Sequence, residues 1–537
     1  MRIVDFYPSQ GSFSLGEPIT FLVELETSIP QEITLRISIQ HLTDKLEIIE
    51  QFLQLAFGEQ TVQMQWKPPA RLAGYSARLE ILSANNSPIL RATTAFDVLS
   101  SWTNFPRYGF LTNFSPSRAD PEAVLKQLTR FHINGLQFYD WQYRHDQLLA
   151  PTEEYIDLLG REMSLVSIQN LVDAAHRHGI ATMPYLAIYA ASADFWRSYP
   201  DWALYDEAGN PITFGENFLG LMDPTAGSPW SQHLLAESAR ALQDISFDGL
   251  HIDQYGDPKR AWNSKHDSVD LPRAFVDFIR SASDQHPDKT ILFNAVGNWP
   301  IEALVESPID FLYIEVWPPD VEYHRLAEII LNAVRLSHGK SVVIALYLPA
   351  NLPANNLLTD AVSLACGGTR IELGEDTRLL SDPYFPKHEE LPIDLQTELR
   401  QLSNFAVRNG EWLQPYVLST AEKEIWARSE LNPEYISMDD YHSMMTVARH
   451  HAKSLIIQLV NFSGLASHPR WDEAHVAPTL RQNISIKIQT SKRPSQIFWD
   501  CPEKTNGPQE LDFEYSNGTF AFFIPEINFI GLVVIYD

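Results

Sequence analysis

The hydrophobic rhythm of the chain changes twice, and the changes divide it into three. In residues 1–100 apolar and polar positions alternate. This holds for Ile19-Thr20-Phe21-Leu22-Val23-Glu24-Leu25 after the turn signal Gly16-Glu17-Pro18, and again over 33–39, 75–81 and 94–98. A period of two marks strands with one buried face. Several such strands, broken by turns, predict an immunoglobulin-like β-sandwich. Over 101–414 strands and helices alternate, with strands expected at 108–111, 135–139, 181–188, 249–252, 290–294, 311–315, 341–346 and 369–372. Between them, Asp120-Pro121-Glu122 reads as an N-cap followed by Pro at the first helical position. Leu165, Ile168, Leu171, Val172 and Ala175 form an apolar stripe closed by Gly179, and Leu326, Ile329, Ile330 and Val334 form another closed by Gly339.

Eight strand–helix units in roughly 290 residues predict a (β/α)8 TIM barrel, closed by a last helix over 394–412. A doubly wound sheet is the alternative, but no Gly-rich phosphate loop follows the first strand. Over 415–537 strands return, at 454–462, 484–490, 496–500, 511–515, 520–524 and 529–536, with an Asn517-Gly518 hairpin signal. They predict a second β-sandwich. The expected architecture is multidomain, a central (β/α)8 barrel flanked by an N-terminal immunoglobulin-like sandwich and a C-terminal sandwich.

Four long connections, 140–163, 189–225, 254–270 and 373–393, follow strand C-termini, the face where barrel enzymes build their sites. Loops of this length need a reason, and walls of an extended cleft are one. Alternation then selects the inward residues. In the fourth strand Leu250 and Ile252 share one face, while His251 and Asp253 share the other. The fifth offers Asn294, the sixth Tyr313, Glu315 and Trp317, and the eighth Arg370 and Glu372. Asp253 and Glu315 therefore face a common cleft lined with Trp and Tyr. Two carboxylates so placed suit glycosidic bond cleavage, one attacking carbon or activating water and the other protonating the leaving oxygen.

Either carboxylate alone more often caps a helix or pairs with Arg. The pair, with Asn294 and Trp317 beside it, favours catalysis. Weaker substrate-binding candidates surround it. Tyr139, Asp140 and Trp141 either hold a sugar or anchor their loop. His251 is either an inner-layer histidine or a hydrogen-bond donor. Gln254 adjoins Asp253, and Glu372 either meets substrate or pairs with Arg370. Tyr139, Trp141 and Trp317 are expected to line the cleft.

Composition narrows the class. Forty Lys+Arg against 68 Asp+Glu give a net charge of −28, without a basic cluster. Nucleic acid and anionic membrane surfaces are thereby disfavoured. A neutral sugar is compatible, and 13 Trp and 20 Tyr suit sugar faces, although most aromatic residues are core. Cys366 and Cys501 fall in different regions and build no disulfide framework, and His176 and His178 share no helix face for a metal. No cofactor is expected. No apolar run is long enough for a signal peptide or membrane span. The expectation is a cytoplasmic protein, although one whose leader had been removed would read the same.

Tyr108 to Phe114, Asn134 to His145, Gly249 to Gly256 and Ile314-Glu315-Val316-Trp317 together resemble glycoside hydrolase family 66. That family comprises dextranases and cycloisomaltooligosaccharide glucanotransferases acting on α-1,6-glucans. The resemblance covers nearly the whole chain and implies the same three-part order. It also implies retention of configuration, with Asp253 as nucleophile and Glu315 as acid/base. On that reading the carboxylates lie roughly 5–5.5 Å apart, with Glu315 raised in pKa and Asp253 ionised. The glucanotransferases typically carry a carbohydrate-binding insertion late in the barrel. Residues 341–372 leave no room for one, which tilts the expectation toward endo-acting hydrolysis. Cyclising transfer and a catalytically inactive carbohydrate-binding protein are the alternatives.

Overall fold

Eight parallel strands lie side by side in chain order. In the computed structural model, which describes residues 1–83, 85–118, 120–438, 441–504 and 507–537, they are Tyr108–Leu111, Gly135–Phe138, Ala181–Ala187, Gly249–Asp253, Thr290–Val296, Leu312–Glu315, Val342–Ala345 and Gly368–Ile371. The eighth pairs with the seventh. Just beyond it, Leu373–Gly374 runs parallel to the first strand through Gly374 and Phe110. The sheet thus curls until the continuation of its last strand reaches its first.

The curl gives the sheet two different faces. Tyr108, Phe110, Met183, Leu292, Tyr313, Val343 and Ile371 pack together on the inside. Leu136, Leu186, Leu250, Ile252, Phe293, Ile314 and Ile344 belong to the larger core that includes the helices. Those helices form for the reasons the sequence predicts. In Leu165–Arg177 the Ser164 hydroxyl accepts from the Ser167 N–H at 3.3 Å, Ile168, Leu171, Val172 and Ala175 are buried, and Gly179 follows at φ +62°. Each fully buried Leu or Ile in such a stripe stabilises the fold by about 1.5–3 kcal/mol. Among the described residues no helix is long and apolar enough to cross a membrane.

Two β-regions adjoin the curled sheet. The N-terminal one has a three-stranded and a five-stranded sheet enclosing one apolar cluster, and the C-terminal one a six-stranded and a four-stranded sheet around another. Each is tied in by a buried forked ion pair. Arg107 meets Asp97 at 2.8 and 3.0 Å, and Arg408 meets Asp500 at 2.7 and 3.0 Å. The helix expected over 394–412 breaks at Asn409 into Ile393–Arg408 and Gly410–Leu413. The Asn409 amide donates to Phe405 O and to Asp500, a tertiary contact that sequence periodicity does not encode. The strands Asp44–Leu55, Gly58–Trp66 and Met444–His451 were not expected. The first is an exposed edge strand, and the last is buried on both faces, so its apolar pattern does not alternate.

All four long connections carry structure of their own. Hairpins Glu154–Ile156/Glu162–Ser164 and Ala261–Trp262/Ser268–Val269 occupy two of them. A small three-stranded sheet, Ala190–Ser192, Leu219–Leu221 and Thr213–Phe214, occupies the third, and strands Arg378–Leu379 and Glu389–Glu390 the fourth. Within the first, Trp141 is a core residue and not a cleft wall. It is 0% exposed, its indole N–H donates to Tyr185 O at 3.2 Å, and its ring centre lies 4.9 Å from that of Phe247. Trp317, by contrast, is 39% exposed. Trp141→Ala is therefore expected to cost about 3–5 kcal/mol of stability, and Trp317→Ala less than about 1 kcal/mol. Urea unfolding of the two variants checks this, and equal losses would refute the assignment.

Candidate active site

The fourth strand starts close against the fifth. A Cβ on Gly249 would sit 2.0 Å from the Thr290 carbonyl oxygen, so only glycine allows the approach. From there alternation sends His251 and Asp253 inward. The fifth strand lies between the fourth and sixth and carries Asn294, and the sixth ends on Glu315.

The Asn294 side-chain nitrogen joins the two acids. It donates to Asp253 Oδ1 at 2.8 Å and to Glu315 Oε2 at 3.0 Å. A primary amide has two N–H bonds, and here each serves one carboxylate. Two oxygens sharing one nitrogen at those distances lie no more than about 6 Å apart, below the roughly 6.5–9.5 Å typical of inverting glycosidases. Tyr347 donates its hydroxyl to Glu315 Oε1 at 2.6 Å. Trp317 adjoins Glu315, and Tyr185 and the Gln254 backbone adjoin Asp253, each favouring the charged form of its neighbour.

Burial decides the electrostatics. Glu315 is 7% exposed, and among the described residues no Lys or Arg forms an ion pair with either acid. Desolvation raises the Glu315 pKa above the usual glutamate range, against the pull of Tyr347, Asn294 and Trp317. Asp253 is also pushed up, to about 7, first by burial and then by the charge of Glu315. The expectation that Glu315 alone would be raised is thus corrected. The two acids share the Asn294 amide, and the charge on Glu315 opposes ionisation of Asp253.

The other candidates divide. Tyr139 is half-buried close to both acids, stacked on Phe385 with ring centres 4.2 Å apart, and its hydroxyl donates to Pro383 O. Asp140 has φ +49°, and burial lifts its carboxyl to about 6 between Gln142 and Arg161. Trp317 borders Tyr347, with ring centres 5.8 Å apart.

His251 is an inner-layer residue beneath the pair. It is 1% exposed, hydrogen-bonded to the Tyr108 hydroxyl, and kept neutral by burial, which drops its pKa to about 3. Gln254 is a loop anchor rather than a substrate contact. Its Nε2 donates to Trp299 O, and its Oε1 accepts from the Gly256 N–H at 2.6 Å. Glu372 and Arg370 are also displaced from the expected interior. Ile371 takes the inner face of the eighth strand, leaving Arg370 to reach Asp360 at 2.6 Å on the helix Pro353–Cys366 and Glu372 at 2.6 Å.

Three neighbours were not singled out from sequence. Tyr185, inside the expected strand 181–188, continues the inward alternation of Met183, and Tyr347 continues that of Val343 and Ala345 one residue past the expected strand 341–346. Phe385 sits in an irregular loop, where no periodicity points to it.

Comparison with known proteins agrees with this geometry. The pattern of glycosyl hydrolase family 66 matches residues 10–534. A cycloisomaltooligosaccharide glucanotransferase of Niallia circulans is 29% identical over 58% of this chain and 34% of its own length. A dextranase of Streptococcus salivarius is 21% identical over 86% of this chain and 66% of its own. The chain spans only about a third of the length of the curated glucanotransferases it matches. A Paenibacillus sp. cycloisomaltooligosaccharide glucanotransferase, solved with cycloisomaltoheptaose, superposes with a TM-score of 0.88 at 22% identity, covering 99% of both chains, and so shares the fold. By the match across nearly its whole length, the chain belongs to glycosyl hydrolase family 66.

Proposed function

We propose that this protein is a retaining, endo-acting glycoside hydrolase that cleaves α-1,6-glucosidic bonds in dextran or isomaltooligosaccharides. The curled sheet and its helices act as a (β/α)8 barrel over 101–414, flanked by an immunoglobulin-like sandwich over 1–100 and a second sandwich over 415–537. The observation that carries the reading is the Asn294 amide shared by Asp253 and Glu315. It holds two carboxylates at a separation suited to a double displacement. The names of the relatives, a dextranase and glucanotransferases, support the substrate class.

In the first step the Asp253 carboxylate attacks the anomeric carbon while Glu315 gives its proton to the departing glucosyl oxygen. A glycosyl ester on Asp253 and a Glu315 carboxylate result. Glu315 then takes a proton from water, whose oxygen attacks the same carbon and frees Asp253. The cycle needs one proton on the pair, resting on Glu315 while Asp253 is ionised. Tyr139 and Trp317 supply faces for the sugar.

A glucanotransferase reading has support in the two Niallia circulans relatives. Cyclisation requires holding the far end of the donor close to the intermediate, a matter of effective concentration. Between the seventh and eighth strands this chain has only residues 346–352, the helix Pro353–Cys366 and Gly367, with no inserted domain. Hydrolysis is therefore the first reading. Mass spectrometry of early dextran digests is expected to give linear isomaltooligosaccharides. A series lighter by one water from the earliest times would replace hydrolysis with cyclisation.

Asp253→Ala is expected to remove activity on all substrates by roughly 10⁴-fold or more. Glu315→Gln is expected to lower kcat/KM on dextran by roughly 10²–10⁴-fold, while sparing an aryl glycoside whose leaving group needs no proton. Its pH profile adds a signed test. In the active form Asp253 is ionised and Glu315 protonated, so the acid limb reports protonation of Asp253 beside a neutral Glu315 and the alkaline limb reports loss of the Glu315 proton. Glu315→Gln is therefore expected to leave the acid limb of aryl-glycoside cleavage in place and to abolish the alkaline limb. Intact dextran hydrolysis in Glu315→Gln would refute the role given to Glu315.

A further inference from the structure

A loop of the C-terminal β-region reaches the catalytic face. It connects the strands Ser454–Asn461 and Arg481–Gln489 across 462–480, and no strand or helix is assigned within it. Irregular connections longer than about 12–15 residues are usually functional. Its base is tied, with the Thr479 N–H donating to Ser463 O at 2.7 Å, so the loop projects as one unit.

At its tip the loop grips the segment that follows Glu315. Arg470 forms a β-bridge with Glu322, and the Tyr323 N–H donates to Pro469 O at 3.1 Å. Trp471, only 7% exposed, donates its backbone N–H to Val321 O at 2.9 Å and its indole N–H to Asp320 O at 3.0 Å. The other side of the tip is held by one side chain. Asn355, fully buried near the start of the helix Pro353–Cys366, donates to Trp471 O at 2.9 Å and Glu473 O at 2.6 Å, and accepts from the His475 N–H at 3.0 Å.

The two segments so joined are the ones that surround Glu315. Residues 316–322 carry Trp317, and residues 346–352, which lead to Asn355, carry Tyr347. Tyr347 donates to the Glu315 carboxyl, and Trp317 borders Tyr347 with ring centres 5.8 Å apart. Resting on the acid/base reading of Glu315, we propose that the 469–475 segment is a positioning strap. By bolting the loop after the sixth strand to the first turn of the helix that the loop after the seventh leads into, it fixes the orientation of the general acid. Trp471 and Asn355 are then positioning residues, remote from the sugar, and the C-terminal β-region takes part in catalysis through them. Simple domain packing would also bury Trp471. It gives no reason for all three hydrogen-bonding groups of Asn355 to be spent on the backbone of this segment.

The test compares Trp471→Phe, Asn355→Asp and Glu315→Gln in the full chain, on dextran and on an activated aryl glycoside, with melting temperatures recorded. Trp471→Phe keeps an aromatic ring and the backbone bond to Val321 while removing the indole donor and part of its volume, so it is the milder variant if Asn355→Asp does not fold. A misplaced acid costs protonation of a poor leaving group and little else. For Trp471→Phe, kcat/KM on dextran is expected to fall roughly tenfold, with aryl-glycoside kcat/KM unchanged within about twofold. A loosened Tyr347 donor favours the charged form of Glu315 less, so the alkaline limb on dextran is expected to move to higher pH.

Proportional loss on both substrates, or no change on either with Glu315→Gln still selectively impaired, would overturn the strap while leaving the role of Glu315 standing. Unimpaired dextran cleavage by Glu315→Gln would remove that role, and the strap with it.

Discussion

Two carboxylates side by side, with no Lys or Arg ion-paired to either among the described residues, are the constraint on which this molecule turns. Burial makes each resist ionisation, and the charge of Glu315 makes ionisation of Asp253 harder still. Neutral donors supply the compensation. One amide, Asn294, serves both acids, and the Tyr347 hydroxyl adds a bond to Glu315. A lysine or arginine in the same place would pin both acids as carboxylates and leave neither with a proton to give. The arrangement also demands rigidity, since hydrogen-bond geometry is useful only while three adjacent strands hold their register. The inner layer of Tyr108, His251 and Tyr313 beneath the pair supplies that footing.

How far the sequence discloses this follows the same logic. The fourth, fifth and sixth strands put apolar residues toward helices and polar ones inward, so Asp253, Asn294 and Glu315 are legible from alternation alone. In the eighth strand both phases offer plausible inner residues. The choice falls on Ile371 because Arg370 finds Asp360 on a neighbouring helix, a partner ten residues earlier that no local pattern specifies. Trp141 and Gln254 lie just beyond strand ends, where alternation lapses and the direction of a side chain is set by the turn. Their burial is decided by contacts with Phe247 and with the Trp299 and Gly256 backbone. Tyr347 follows the alternation of its strand but stands past the end of the expected segment. Phe385, in an irregular loop, carries no signal at all.

The flanking β-regions are joined to the curled sheet by particular bonds rather than by general apolar contact. Buried arginine–aspartate forks fix one end of each, where loss of one partner would strand a charge at a cost of about 3–5 kcal/mol. The C-terminal region adds a second attachment, the 469–475 segment that bonds residues 320–323 and Asn355.

The central claim is that Asp253 becomes covalently glycosylated. The most direct measurement is peptide mass spectrometry after rapid quenching of the protein with an activated 2-deoxy-2-fluoro α-glucosyl donor, which slows breakdown of the intermediate. The account predicts one added fluoroglucosyl mass on the peptide that contains Asp253, and none in Asp253→Ala. An adduct on another residue would contradict it. So would the absence of any adduct while the donor is still being consumed.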